Sequence, residues 1–159
     1  MIGSDYLMLK ELKSFFADLS GEEKPKPFDD SDYRLSAAAL LVHVATLDHE
    51  LAAEDRETLH GLLKSRFDLD EATTAELIDA AVTADREAVD FYRFTHNLMR
   101  SLDEAGRQRV VEMMWEMAYS DHTVSEFEDN VMWRVGDLLG ISTNDRIALK
   151  HRAASGAKA

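Results

Sequence analysis

Apolar residues are spaced as in helices along the chain from Tyr33 onward. They recur every three or four residues, and no run alternates strictly between apolar and polar residues over the length of a strand. After Pro27 the chain has no proline, the residue that most often interrupts a helix. Good helix formers such as Ala, Leu, Glu, Arg and Met are abundant there. The pattern predicts an all-α fold, a single-domain bundle of about seven to eight helices.

The predicted helices differ in how their apolar residues are distributed. The helix over Tyr33–Leu47 is apolar nearly all round, which predicts a central position in the bundle. Gly61 lies inside the next helix at a cost of about 1 kcal/mol relative to Ala, and a close crossing with another helix would explain it. The predicted helices are 5–19, 33–47, 53–67, 70–83, 86–101, 103–118, 125–139 and 142–152.

Two short segments precede the main body of helices. Residues 1–19 predict an N-terminal amphipathic helix, and residues 20–32 predict a linker that contains both prolines of the chain. Lys10 and Lys13 would allow peripheral contact with a membrane surface, but nearby acids cancel much of their charge, so packing on the main body is favoured. The predicted organisation is completed by a helical domain at 33–152 and a flexible tail at 153–159.

The charge of the chain narrows the range of partners. The formal net charge is −13 at pH 7, and acids far outnumber bases between Thr46 and Asp90. Such a surface repels phosphate backbones, which argues against nucleic acid, and it favours cations or basic protein partners. The absence of cysteine excludes disulfides and Cys-ligated zinc. No apolar run is long enough to span a membrane, and Met1–Lys13 does not resemble a signal peptide, so a cytoplasmic location is expected.

One sequence motif occurs twice, each time at the turn between two predicted helices. Residues 45–55 and 118–128 share the pattern Ala-x-x-Asp-His-x-apolar-x-x-x-acidic. We interpret the repeat as an internal duplication of a helix–turn–helix unit. Both copies have several acidic residues in or next to the turn, so the prediction of a functional site centres on the two turns.

The second copy has a structural explanation that the first copy lacks. Ser125 followed three residues later by Glu128 predicts a capping box at the start of a helix, so Glu128 needs no ligand to explain it. In the first copy Ala52 occupies the capping position and has no side-chain oxygen. Asp55 is then explained only by its favourable interaction with the helix dipole.

The acids of the two turns predict a site for a divalent cation. Ca²⁺ and Mg²⁺ prefer carboxylate oxygens as ligands, although the spacing does not match the calcium-binding helix–loop–helix motif and its glycine is absent. The alternative is that these acids serve as caps and as a solvated surface. The candidate ligands are Asp48, Glu50 and Asp55 in the first copy, and Asp121, Glu126 and Glu128 in the second.

No combination of residues indicates catalysis. Glu57 and His60 match the Glu-x-x-His motif of di-iron bundles, but that fold needs two such motifs and only one is present. No nucleophile elbow and no phosphate-binding glycine loop occurs. We therefore expect a non-enzymatic protein, with a metal-dependent enzyme as a distant alternative. The stripe of Met and Trp residues around Trp115 predicts core packing, with a partner groove or homodimer contact as the alternative.

The duplicated turn resembles the TerB-like tellurite-resistance proteins of bacteria. The resemblance extends from about Leu7 to Arg152, and one branch of the family is especially similar. It implies an all-helical, duplicated fold and a scaffold or interaction role in tellurite or chemical-stress resistance. The stretches that carry it are 28–45, 59–67, 110–116 and 124–130.

The resemblance also bears on the candidate ligands. The acidic turn positions of the family fall on Asp48, Asp55, Asp121 and Glu128. The family usually has Gly after the first acid of each turn, whereas this chain has His49 and His122 there. A histidine would add a nitrogen ligand suited to Zn²⁺ or Ni²⁺, and the alternative is a surface substitution.

Overall fold

The computed structural model describes residues 28–120 and 123–158, which form helices and no strand. The all-α bundle predicted from the sequence is confirmed. The predicted N-terminal helix, most of the linker, Asp121 and His122 lie outside the described residues. The helices are α1 (Tyr33–Ala45), α2 (Ala53–Phe67), α3 (Glu71–Glu87), α4 (Tyr92–Ser101), α5 (Glu104–Ala118), α6 (Glu126–Leu138) and α7 (Thr143–Lys158).

Helix α1 lies at the centre of the bundle, as its apolar sequence predicted. The successive residues from Ala37 to Val42 are each at most 2% exposed. Since a helix turns by about 100° per residue, this run points in every direction around the axis. Helices α2, α3, α4, α5 and α6 all pack against α1. Burial on every side therefore makes α1 the element that these five helices share as a neighbour.

Side-chain caps fix where several helices begin. Asp32, Asp70 and Asp103 each accept a hydrogen bond from a backbone N–H in the first turn of the helix that follows, at 3.0, 2.7 and 2.8 Å. These bonds satisfy donors that have no partner within the helix. The Arg34 guanidinium also donates to the Asp32 carboxylate, which holds the pKa of Asp32 below its usual value.

Two helix boundaries differ from the sequence prediction. Helix α3 continues to Glu87, and α4 begins only at Tyr92, because Ala88 is extended and the Asp90 carboxylate accepts from the Tyr92 N–H at 2.9 Å. Helix α7 continues to Lys158 through most of the segment predicted as a tail, and Ala153 is buried in the core. Periodicity did not locate these ends because a capping bond and a single core contact decide them.

The methionine and tryptophan stripe of α5 belongs to the core. Trp115 is buried, as are the methionines of α5 and Met132 of α6. Lys150 places its ammonium 5.2 Å from the centroid of the Trp115 ring, which covers the aromatic face from the α7 side. The stripe therefore joins α5, α6 and α7. None of the helices in the described residues is long and apolar enough to cross a membrane.

The expected close helix crossing at Gly61 is wrong, and Gly136 is instead the helical glycine that a neighbouring side chain approaches closely. A Cβ atom added at Gly61 would meet nothing within 4 Å. A Cβ atom at Gly136 would lie 2.5 Å from Arg146 Cδ. The Arg146 side chain cannot move away easily, because its guanidinium donates to the Trp133 carbonyl and to Thr143 Oγ1. The position of the Arg146 side chain over α6 therefore requires glycine at position 136.

The two glycines give opposite predictions for alanine substitutions. Gly136→Ala should destabilise the protein by about 1–2 kcal/mol, because overpacking against Arg146 outweighs the gain in helix propensity. Gly61→Ala should stabilise it by up to about 1 kcal/mol, because the added methyl group meets no neighbour. Urea unfolding followed by circular dichroism measures both changes. Equal effects of the two substitutions would contradict the assignment of the close contact to Gly136.

Candidate functional site at the paired turns

The two copies of the duplicated unit pack against each other, and helices of one copy contact both helices of the other. Helix α1, which leads into the first turn, contacts α5, which leads into the second. In addition, α1 contacts α6 and α2 contacts α5, so each incoming helix also meets the outgoing helix of the other copy. This arrangement brings both turns to the same end of the bundle.

Residues from both turns line one small cavity. Its volume is about 20 Å³, which is enough for one water molecule or one ion. Asp48, His49 and Asp55 of the first copy and Glu128 of the second line it. Asp55 and Glu128 occupy equivalent positions of the repeated motif. The remaining lining residues are Val44, Ala45, Met117, Ala118 and Ser120.

Both equivalent acids have a backbone partner. Glu128 accepts from the Ser125 N–H at 3.3 Å, and Ser125 Oγ accepts from the Glu128 N–H at 3.1 Å, which confirms the predicted capping box. Asp55 accepts from the Ala52 N–H at 3.2 Å and so makes the carboxylate half of the same box without a capping hydroxyl. The helix dipole was thus an incomplete explanation of Asp55. These bonds fix the orientation of both carboxylates toward the turns.

His49, the histidine of the first turn, lies next to the Asp55 carboxylate. His49 Nδ1 is 3.7 Å from Asp55 Oδ2 and 2.7 Å from the Glu50 carbonyl oxygen. The side chain is about half exposed. His49 is therefore within reach of the cavity and of solvent.

The remaining predicted ligands are placed elsewhere. Glu50 lines a larger groove of about 700 Å³ between the first turn and α3, and Glu126 lines a groove of about 550 Å³ beside Lys150. Asp121 and His122 lie outside the described residues. Within residues 28–120 and 123–158, no three His, Asp or Glu side chains stand in an arrangement that could hold a metal ion. The described lining of the cavity nevertheless includes three carboxylates and one imidazole.

Sequence reasoning did not anticipate Ser120 in the cavity. The equivalent residue of the first copy is Leu47, so the repeated motif gives no signal for a polar group at this position. The Ser120 hydroxyl donates to the Met117 carbonyl at 2.8 Å, just beyond the end of α5. This bond fixes the orientation of the Ser120 hydroxyl oxygen.

Two histidines outside the turns, His43 and His60, pair with acids on the neighbouring helix α3. His43 Nδ1 is 2.9 Å from Asp85 Oδ1, so this histidine has a hydrogen-bond partner within the bundle. His60 of the single Glu-x-x-His motif is hydrogen-bonded to Glu71 at 2.7 Å. Lys64 and then His60 hold the pKa of Glu71 below its usual value. The motif is therefore part of a surface ion-pair group between α2 and α3.

The fold and the paired turns define an all-α protein built from a duplicated helix–turn–helix unit. The family model described as "Tellurite resistance protein TerB" matches residues 34–151. The chain therefore belongs to the TerB family. A search of curated proteins found no match, and neither did a search of solved structures.

The unequal capping of the two copies yields a paired prediction. Ala52 and Ser125 have nearly the same extended backbone, with φ and ψ of −73° and 161° against −72° and 163°. Ala52→Ser should complete the first capping box and stabilise the protein by about 0.5–1 kcal/mol, whereas Ser125→Ala should destabilise it by about 1 kcal/mol. Chemical unfolding of the two variants measures both. A destabilising Ala52→Ser substitution would contradict the equivalence of the turns.

Proposed function

We propose that the protein is a non-enzymatic scaffold or interaction module that acts in tellurite or chemical-stress resistance. Membership of the TerB family supports the link to tellurite. The observation that carries the interaction role is that both acidic turns lie at one end of the bundle, where Asp48, Asp55 and Glu128 line a common cavity. We call this surface, together with Glu50, the acidic end.

The acidic end has the electrostatic character of a surface that recognises cationic groups. Acids from two separate turns add their potentials there, and the net charge of −13 increases the attraction for a basic partner at long range. Bonds to backbone N–H groups orient the carboxylates of Asp55 and Glu128, so less conformational entropy of these side chains is lost on binding. A basic segment of a partner protein is therefore the proposed ligand of the scaffold. The proposed location of this interaction is the cytoplasm.

Binding of a divalent cation is the second candidate function. It is favoured by the volume of the cavity, which suits one ion, and by the equivalent positions of Asp55 and Glu128 in the duplicated motif. Carboxylate oxygens would suit Ca²⁺ or Mg²⁺, while participation of His49 would shift the preference toward Zn²⁺ or Ni²⁺. Asp48, Asp55 and Glu128 are the proposed ligands, and the binding of an ion would have to draw them together, because in the described residues they do not stand in a metal-binding arrangement.

Thermal unfolding with and without metal tests the second candidate. After treatment with a chelator, one of Ca²⁺, Mg²⁺, Mn²⁺, Zn²⁺ or Ni²⁺ should raise the melting temperature saturably, by several degrees at about 100 times its Kd. Asp48→Asn should abolish this rise, because it removes a cavity carboxylate that has no capping role. Asp137→Asn, an exposed acid on α6, should retain it. A small, non-saturable rise that is equal in all three proteins would reject a metal site.

Growth on tellurite tests the proposed scaffold. A strain without the gene should grow less well on tellurite, and the wild-type gene should restore growth. A variant with Asp48→Asn and Glu50→Gln should fail to restore it, because the acidic end loses two charges. A control with Asp137→Asn and Glu76→Gln loses the same charge elsewhere and should restore growth. Full restoration by both variants, at equal protein levels, would reject the acidic end as the functional surface.

A further inference from the structure

We propose that an exposed apolar strip along α6 binds a basic amphipathic segment of a partner protein. The strip consists of Phe127, Val131 and Arg134 on α6, and of Tyr92 and Val89 at and just before the start of α4. This inference rests on the proposed interaction role. It adds a second surface to the acidic end and specifies the chemistry of the partner.

The first argument is the exposure of large apolar side chains. Phe127 is 70% exposed and Tyr92 is 42% exposed, and Val89 is completely exposed. Single apolar residues on a surface are common, but a group of them indicates a surface that another molecule covers. Aromatic side chains of this kind contribute a large share of the binding energy in protein interfaces.

The second argument is that one contact links Tyr92 to the face of α6 that carries Phe127 and the partly buried Val131. Phe127, Val131 and Arg134 lie at positions i, i+4 and i+7 of α6 and therefore share one face of the helix. The Arg134 guanidinium lies 5.3 Å from the centroid of the Tyr92 ring and donates a hydrogen bond to its hydroxyl oxygen. The contact joins the face of α6 to the start of α4. The strip thus continues from one helix to the other.

The third argument comes from the duplication. The residue of the first copy that is equivalent to Phe127 is Glu54, which is exposed in the first turn of α2. An acid there interacts favourably with the helix dipole, and phenylalanine loses that interaction. Phe127 gains no burial in exchange, since most of its surface is exposed. The fold by itself therefore gives no reason for an aromatic residue at this position.

The charge around the strip identifies the partner as basic. Glu126 directly precedes Phe127, and Glu87 and Asp90 lie within two residues of Val89 at the other end, whereas Asp129 lies on another side of α6 and is paired with Lys150 at 2.6 Å. Acids around an apolar surface favour a partner with basic residues around an apolar stripe, as in an amphipathic helix. A second copy of this chain that bound through the same strip would place the same acids opposite one another, and their repulsion disfavours it as the partner. Residues 1–27 of the chain carry nearly equal numbers of acids and bases, which makes them a poorer match.

Binding of a defined peptide tests the proposal. The probe is a synthetic helical peptide with leucines on one face and lysines on the other, and its control has serine in place of every leucine. The wild-type protein should bind the leucine peptide at least tenfold more tightly than the serine peptide. Phe127→Ser should weaken binding of the leucine peptide by about tenfold or more. Ile147→Ser removes an exposed apolar residue from α7 and should leave binding unchanged.

A third variant separates this proposal from that of the acidic end. If Asp48→Asn with Glu50→Gln weakens peptide binding while Phe127→Ser does not, the strip is rejected and the acidic end stands as the docking surface. If Phe127→Ser alone weakens binding, the strip is supported even when the acidic end has no role. Equal binding of both peptides by wild-type protein would also overturn the proposal. So would sedimentation that shows a wild-type dimer and a Phe127→Ser monomer, since a second copy would then occupy the strip.

Discussion

The burial of α1 on every side is the constraint on which the rest of the structure depends. A helix that is apolar all round can bury its surface only if other helices pack on every side of it. Five other helices pack against α1. Its small residues Ala37, Ala38 and Ala39 allow those helices to come close. The positions of these five helices, and therefore of both turns, follow from this shared contact, while α7 packs on α5. A loss of packing at α1 would displace the candidate site as well as the core.

The same acids serve folding and the candidate site. Asp55 and Glu128 reach back to backbone N–H groups at the start of α2 and α6, and they also line the cavity between the turns. A carboxylate that is fixed by a backbone bond is already oriented when a ligand arrives, so less entropy is lost on binding. Asp48 lines the same cavity without a capping role, which is why its replacement separates binding from stability.

The acidic end and the apolar strip are neighbours along the chain. Phe127 lies between Glu126 and Glu128, and Glu128 lines the cavity that both turns share. A basic amphipathic segment that covers Phe127 would bring its positive charges close to the second turn. Cation binding at the turns would lower the negative potential that attracts such a segment. The two proposed activities would therefore oppose each other electrostatically.

The sequence by itself determined the helical fold, the central position of α1 and the capping box of Ser125 and Glu128. Each of these depends on residues close together in the chain, where helical periodicity and side-chain chemistry decide the outcome. It did not determine that Gly61 faces open space while Gly136 meets Arg146, or that Asp48, Asp55 and Glu128 share one cavity. The cavity depends on the distance between helices that are remote in sequence, and the contact at Gly136 depends on how the Arg146 side chain of α7 lies on α6. Only the tertiary packing decides which turns meet, which glycine lies under a neighbouring side chain and which aromatic side chain stays exposed.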